Sequence, residues 1–243
     1  MSAGGLAVGV LFGIFGVGGS SFATPLLGAL GVPGLVAVAA PLPATVPAAI
    51  AGMVSYVRRR QVDWAVARWS IIGGAPATIA GGLLSGAVGG SALLVASGVV
   101  LGVVGARLIV RIPEERLAHH VRRRAAVVVP SAAAVGLLTG LLANGGGFLL
   151  VPLFVLVLGL TMPESAGTSL VVIAVLSLPT LAVHWVLGHI DWSVSLAFAA
   201  GSVPGAAIGS RLAPRLPAEA MRRVFGAVLI AFAISFVARQ VAS

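Results

Sequence analysis

From Met1 to Val57 the chain carries no charged residue, and from Ala125 to Met162 it again carries none. Both runs exceed the roughly 20 residues that cross a bilayer as a helix. Their apolar positions are continuous rather than alternating, which predicts membrane helices and not the strands of a barrel. Charged and Gly/Pro-rich breaks divide the first half into a broken segment at about 4–31 and helices near 36–57, 64–86 and 91–110. The second half divides in the same way, into a broken segment at about 125–160 and helices near 164–187, 192–213 and 219–240. Between them lies the one strongly polar stretch, Arg111 to Arg124, with Glu114, Glu115, His119 and His120.

The two broken segments contain the same polar interruption. The first reads GIFGVGGSSFATP from Gly13 to Pro25, and the second reads GLLANGGGFLLVP from Gly140 to Pro152. The separation of Pro25 from Pro152 recurs, to within a single position, in later pairs. Asp63-Trp64 matches Asp191-Trp192 in this way, and Gly73-x-x-Pro76 matches Gly201-x-x-Pro204. A duplicated membrane sequence with Gly-interrupted spans in matching positions points to a transporter whose site lies between the repeats.

Composition and charge sharpen this picture. Of 243 residues, 59% are hydrophobic and 9% charged, too few charges to cover a soluble domain of this size. The formal net charge of +9 comes from arginine alone among the basic residues, and no cysteine is present to form a disulfide or a thiolate site. Topology explains the arginines better than nucleic acid does, because positive residues collect on cytoplasmic loops. Thirteen of the fifteen fall in three regions: Arg58, Arg59, Arg60 and Arg68; Arg111, Arg116, Arg122, Arg123 and Arg124; and Arg211, Arg215, Arg222 and Arg223. All three face one side only if each broken segment crosses an even number of times, as a re-entrant hairpin or as two short spans. The Asp63-Trp64 turn then faces in and Asp191-Trp192 faces out, so the halves are inverted. The expected fold is therefore an all-α polytopic membrane protein of two inverted-topology repeats, each a Gly-broken segment plus three transmembrane helices. Residues 1–110 form the first repeat, 111–124 a basic cytoplasmic linker that contacts anionic lipid, and 125–243 the second repeat. The expected location is the inner cell membrane, multi-pass. The N-terminus has no basic n-region, so no cleaved signal peptide is expected.

The duplicated break resembles the sulfite exporter TauE/SafE family of bacterial and archaeal membrane transporters. The resemblance rests on Gly16-x-Gly18-Gly19-Ser20 with Pro25, on Asn144-Gly145-Gly146-Gly147 with Pro152, and on the paired Gly-x-x-Pro helices at Gly73–Ala77 and Gly201–Gly205. It implies export, or in some members uptake, of sulfite and related organosulfur anions. One departure is visible: Val17 stands where the second copy has Asn144, so the two breaks are not chemically equivalent.

The residues suggest how an anion is held. If the first segment enters from outside and turns at Gly18-Gly19, its return starts near Ser20; the second enters from the cytoplasm and returns near Phe148. Both half-helices then begin close to the membrane midplane. A helix N-terminus offers unpaired N–H groups and about half a positive charge. Two of them make an anion site without a buried cation. Gly at the tips permits the turn and lets a ligand reach the backbone; the competing use of such glycines is close helix packing. The expected substrate-binding set is Gly18, Gly19, Ser20, Ser21, Thr45, Asn144, Gly145, Gly146, Gly147, Thr168 and Ser169. For Thr45, Thr168 and Ser169 the alternative is a hydroxyl bonded to its own helix four residues back. Asp63, Asp191 and Glu164 read as helix caps, Trp64, Trp185 and Trp192 as interfacial anchors, with His184 and His189 beside Trp185, and Arg107 as a snorkelling cation.

No enzyme is expected. Ser85-Gly86 and Ser97-Gly98 have Leu83 and Val95 where an intramembrane Gly-x-Ser-Gly motif needs its first Gly, and there is no His-Glu-x-x-His pair. No cofactor, metal or nucleic acid is expected. Alternating access around the two tips is the leading reading, and a passive anion channel using the same tips is the alternative. The substrate's identity, the direction and the oligomeric state are not fixed by the sequence.

Overall fold

The structure, a computed structural model, describes residues 2–18, 22–23, 40–84, 102–110, 125–141, 147–186, 188 and 190–241. No strand occurs among them. The helices are α1 (Ser2–Phe15), α2 (Leu42–Arg58), α3 (Trp64–Leu84), α4 (102–109), α5 (Ala125–Leu141), α6 (Gly147–Leu156), α7 (Met162–Val186), α8 (Trp192–Leu212) and α9 (Ala218–Val241), with a 3-10 turn, Ala213–Arg215, after α8. The linker expected at 111–124 lies outside the described residues, as does 91–101. Two stretches, Met162–Ala182 and Trp192–Arg215, are long and apolar enough to cross a membrane by length and composition.

Local sequence explains where these helices start. Asp63 accepts from the N–H groups of Ala65 (3.0 Å) and Val66 (3.1 Å), and so caps α3. Its counterpart Asp191 accepts from Ser193 (2.9 Å) and Val194 (3.1 Å) and caps α8. The Ser193 hydroxyl, followed by the backbone donors, holds the Asp191 carboxyl below its usual range. At α7 the cap is reciprocal: the Thr161 N–H bonds the Glu164 carboxylate (3.0 Å) while the Glu164 N–H faces the Thr161 hydroxyl (3.4 Å). Pro47, Pro76, Pro130, Pro152, Pro179 and Pro204 sit inside helices, which a membrane bundle tolerates because neighbours re-satisfy the freed carbonyls.

The surface is apolar and the interior carries hydroxyls. Leu83, Val186 and Leu196 are more than half exposed, whereas Ser70, Ser165, Thr168 and Ser169 are fully buried. That is the distribution expected when lipid rather than water surrounds the helices.

Packing is set by glycines that let backbones touch. A Cβ on Gly5 would lie 2.5 Å from the Phe198 carbonyl; on Gly9 and Gly13 it would meet backbone at Ser202 and Ala206, and on Gly201, Gly205 and Gly209 it would meet Ser2, Leu6 and Val10. Residue numbers rise together, so α1 and α8 are parallel. The same contact recurs between α5 and α3: Gly73 meets Val129, Gly136 meets Gly74 (2.6 Å), and Gly81 meets Leu137. Moving both partners of Gly9–Ser202 by the spacing of the duplicated motif gives Gly136–Gly74. The same operation turns Ser2–Gly201 into Val129–Gly73, and Val10–Gly209 into Leu137–Gly81. By contrast α2 and α7 run against each other, with Gly52 near Leu170 (3.3 Å) and Gly167 against Tyr56 (2.8 Å). α4 and α9 also oppose, through a mutual approach of Gly105 and Gly226 at 2.8 Å in each direction.

Side-chain bonds bring the described arginines of the three rich regions to one end. Ser55 donates to the Ser210 carbonyl (3.0 Å), which sets the end of α2, with Arg58, Arg59 and Arg60, beside the end of α8, with Arg211 and Arg215. Arg222 donates to the carbonyls of Leu108 and Val110, joining α9 to the end of α4 just before Arg111. Arg223 pairs with Glu219 (2.6 Å), and Arg68 lies 4.9 Å over the ring of Trp69. At the opposite end Trp185 and Trp192 meet edge to face at 5.9 Å.

Replacing Gly201 or its counterpart Gly73 by Val forces α1 off α8, or α5 off α3. Each is expected to cost about 1–3 kcal/mol or more, read as a lower thermal midpoint in detergent. Gly102→Ala, whose added methyl meets only the Ala233 Cβ at 3.5 Å, should be near neutral. Equal midpoints for Gly201→Val and Gly102→Ala would refute the tight contact.

Candidate anion site at the helix breaks

α1 stops inside the bundle. Beyond Phe15 the chain leaves the helix through Gly16, Val17 and Gly18, all buried. Gly16 has φ +68°, a left-handed value that favours glycine, and a Cβ there would collide with Ala166 and with the Ser169 hydroxyl (2.6 Å). A helix end leaves its last four carbonyls without intrahelical partners. In hydrocarbon each bare carbonyl is costly.

Two side chains from different helices supply the missing donors. Tyr56, near the end of α2, shares its hydroxyl proton between the carbonyls of Ile14 (2.8 Å) and Gly13 (3.0 Å). Ser169 of α7 donates to the Gly16 carbonyl at 2.5 Å, with the Ala166 carbonyl as a second acceptor at 3.0 Å. The Gly16 N–H bonds back to Phe12 (2.8 Å), and Phe15 stacks on Phe225 of α9 at 5.5 Å. Tyr56 is 1% exposed, its ring seated on Gly167.

The first break does not lie level with the middle of α7. Ser169 is the eighth of its 25 residues, about 10 Å from the start of that helix. The break is therefore displaced toward the arginine-bearing end. From Ser2 beside Gly201 to Gly13 beside Ala206, α1 follows the arginine-side half of α8.

The second break is seen from its far side. α6 starts at Gly147, and Phe148, Leu149 and Leu150 in its first turn are buried. Its unpaired N–H groups therefore begin within the bundle rather than at its surface. Asn144, Gly145 and Gly146 lie outside the described residues, as do Gly19, Ser20 and Ser21.

The hydroxyl candidates divide. Thr168 and Ser169 lie beside the first break: the Thr168 oxygen accepts from the Asp63 N–H (3.0 Å) and ties α7 to the turn between α2 and α3. Thr45 sits at the other end of α2 from Tyr56 and donates to the Pro41 carbonyl four residues back (2.9 Å). The hydroxyls of Ser70, Ser165, Ser177, Ser195 and Ser202 and the Gln61 side-chain oxygen are buried without a hydrogen-bond partner. Among the described residues no three of His, Asp and Glu come together as metal ligands do. Tyr56 is the residue that sequence reasoning missed. The chain's one tyrosine, two positions before an arginine triplet, reads as an interfacial anchor; only its burial and its two carbonyl partners reveal the capping role.

The profile of the family described as "Sulfite exporter TauE/SafE" matches residues 1–236. The chain belongs to the sulfite exporter TauE/SafE family. Across its full length it is 30% identical over 256 aligned positions to a "Probable membrane transporter protein" of Xylella fastidiosa (strain Temecula1 / ATCC 700964), covering 95% of that protein. It is 24% identical over 239 positions to the Bacillus subtilis (strain 168) "Probable membrane transporter protein YjnA", covering 93% of this chain and 94% of the relative. No solved structure matches it. The family and these relatives are described as membrane transporters, so the TauE/SafE chain is a membrane protein of a transport family, in which α1 ends inside the bundle.

The Thr45 hydroxyl donates to Pro41, and Thr45→Val is expected to leave transport by the reconstituted protein within about twofold of the parent. A loss of an order of magnitude or more would place the Thr45 hydroxyl on the transported substrate instead.

Proposed function

We propose that this chain is an inner-membrane, multi-pass transporter of two inverted-topology repeats that moves a small sulfur-containing anion such as sulfite or an organosulfonate by alternating access. Backbone N–H groups at the two Gly tips, Gly18 to Ser21 and Asn144 to Gly147, hold the anion. The observation that carries the reading is the pair of breaks: α1 ends, and α6 begins, inside the bundle rather than at its faces. A broken helix is tolerated in lipid only where it is buried in protein or lines a cavity.

Three further facts support it. Contacts of α1 with α8 recur between α5 and α3 at the sequence offset of the duplicated motif. Equivalent helices oppose each other, α2 against α7 and α4 against α9, and a twofold axis that does this runs perpendicular to the helices, in the membrane plane. The described Arg residues of all three rich regions, or the chain leading into them, lie at one end, which the positive-inside tendency assigns to the cytoplasm. With that orientation α1 enters from outside and α5 from the cytoplasm.

An anion driven outward by an inside-negative potential gains about 2.3 kcal/mol per charge at 100 mV, so export needs no coupled ion on energetic grounds. The test is binding by the detergent-purified protein. Sulfite, sulfate, thiosulfate, sulfoacetate and chloride are compared at matched ionic strength by thermal shift and calorimetry. Selective stabilisation by one sulfur anion, abolished together with transport in Gly19→Leu and Gly146→Leu while membrane insertion persists, is the expected result. Transport retained in both variants would remove the tips from the site. A flat response across the panel together with steady anion current in planar bilayers would favour a channel.

A further inference from the structure

We infer that the turn between α2 and α3 binds the phosphate of an anionic phospholipid, in the leaflet at the arginine-bearing end, through Arg60 and Arg68. The inference stands apart from the transported substrate and makes no use of the Gly tips. It starts from a strained residue. Arg60 follows α2 with φ +57°, and its N–H bonds the Val57 carbonyl (3.0 Å). A left-handed residue just after a helix is usually glycine, because a Cβ in that conformation crowds the following carbonyl.

The second repeat builds the same turn without that strain. Gly188 stands at the spacing that relates Asp63-Trp64 to Asp191-Trp192; it has φ +68° and bonds the Trp185 carbonyl, again at 3.0 Å. A Cβ on Gly188 would meet nothing within 4 Å, so glycine serves the backbone there and not a close contact. The first repeat carries arginine in this glycine position. The same comparison singles out Arg68, whose counterpart is Leu196, and Arg58, whose counterpart is Val186; both counterparts are exposed. The Asp cap and the exposed Trp persist in both copies. What differs is the cations.

Topology accounts for positive charge on this side, but any loop residue would satisfy it. It does not call for a left-handed arginine, nor for one inside a span. Arg68 stands one turn beyond Trp64 on the outer face of α3, in line with Ile72, Ile79 and Leu83, all exposed. The Trp69 ring, 4.9 Å from its guanidinium carbon, leaves the N–H edge for another partner. The described carboxylates at this end are engaged elsewhere. Asp63 caps α3, Glu164 accepts from the Thr161 N–H, and Glu219 pairs with Arg222 and Arg223. A cation on a lipid-facing surface requires an anionic partner or water. A phosphodiester supplies paired oxygens that match the guanidinium edge.

The test uses the full-length protein in detergent micelles containing phosphatidylglycerol or phosphatidylcholine, with glycerol 3-phosphate at matched ionic strength as the soluble headgroup. Thermal midpoints are compared, and retained lipid is titrated by native mass spectrometry. Phosphatidylglycerol is expected to raise the midpoint and stay bound, and the other two to do neither. Two variants take the residue of the second repeat. Arg60→Gly should raise the midpoint in phosphatidylcholine by about 2 °C, because the left-handed backbone is relieved. The same variant should weaken phosphatidylglycerol binding about fivefold, as should Arg68→Leu. Arg215→Gln, at the same end but outside the turn, should weaken it less than about twofold. Binding unchanged in Arg60→Gly and Arg68→Leu, or a midpoint that falls in Arg60→Gly with phosphatidylcholine, would overturn the inference. An equal loss in Arg215→Gln would reduce the effect to diffuse charge and overturn it too. So would stabilisation by glycerol 3-phosphate equal to that by phosphatidylglycerol, which would assign the arginines to a soluble anion.

Discussion

Helix backbones can lie in contact only where no side chain separates them, and the interior breaks in this molecule depend on that contact. α1 is held along its length against α8 by glycines from both helices, and α5 is held in the same way against α3. In lipid there is no hydrophobic gain from bringing two apolar helices together, so close packing and backbone proximity must supply the attraction. Fixing α1 against α8 sets the depth at which α1 ends.

Stopping a helix in the interior creates the second requirement, donors for its last carbonyls. The chain meets it with side chains from two other helices, beside the Gly16 N–H that bonds the Phe12 carbonyl. Tyr56 and Ser169 reach α1 from α2 and α7, the helices that oppose each other at the centre of the bundle. The depth of α1 is thus set twice, by glycine contacts along its side and by hydrogen bonds at its end. Phe15 stacked on Phe225 adds a third attachment to α9. The consequence for function is that the residues following Gly16 depart from a fixed point.

Much of this arrangement was legible in the sequence because it depends on glycine spacing and caps. The interruption after Phe15, the helix beginning near Phe148, the Asp-Trp caps at Asp63 and Asp191 and the arginine-rich end follow from residue types with strong local or topological preferences. The spacing of the duplicated motif carries through to atomic contacts, as in Gly9–Ser202 and Gly136–Gly74. What was not legible depends on depth and on distant partners. Nothing in the local sequence of α1 states how far along α8 it reaches, and its break lies level with Ser169, about 10 Å from the arginine-side start of α7. Thr45 and Ser169 look alike as helical hydroxyls, yet one bonds its own helix and the other a carbonyl 153 residues away. Tyr56 resembles an interfacial anchor until its partners are known. Gly19 to Ser21 and Asn144 to Gly146 lie outside the described residues, and the tips rest on the sequence pattern and on the two helix ends that lead into them.

The same glycine contacts constrain any alternating-access cycle. A transporter made of two repeats invites the picture of one sequence half rocking against the other. Here that motion would separate α1 from α8 and α5 from α3, and each of those pairs joins opposite halves by backbone contact too close for a side chain to intervene. Packed interfaces of this kind move as units, because small separations forfeit much of the dispersion energy that holds them. The opposing pair α2 and α7 is mixed: Gly52 faces the flexible end of Leu170 at 3.3 Å, whereas Gly167 lies tight against Tyr56 (2.8 Å) and the Gln61 carbonyl (2.5 Å). If the chain works by alternating access, its rigid bodies are pairs drawn from both halves. Tyr56 and Ser169 lie on α2 and α7. Relative motion of α2 and α7 would therefore act on the end of α1, which couples the packing of the bundle to the chain that leads into the first Gly tip.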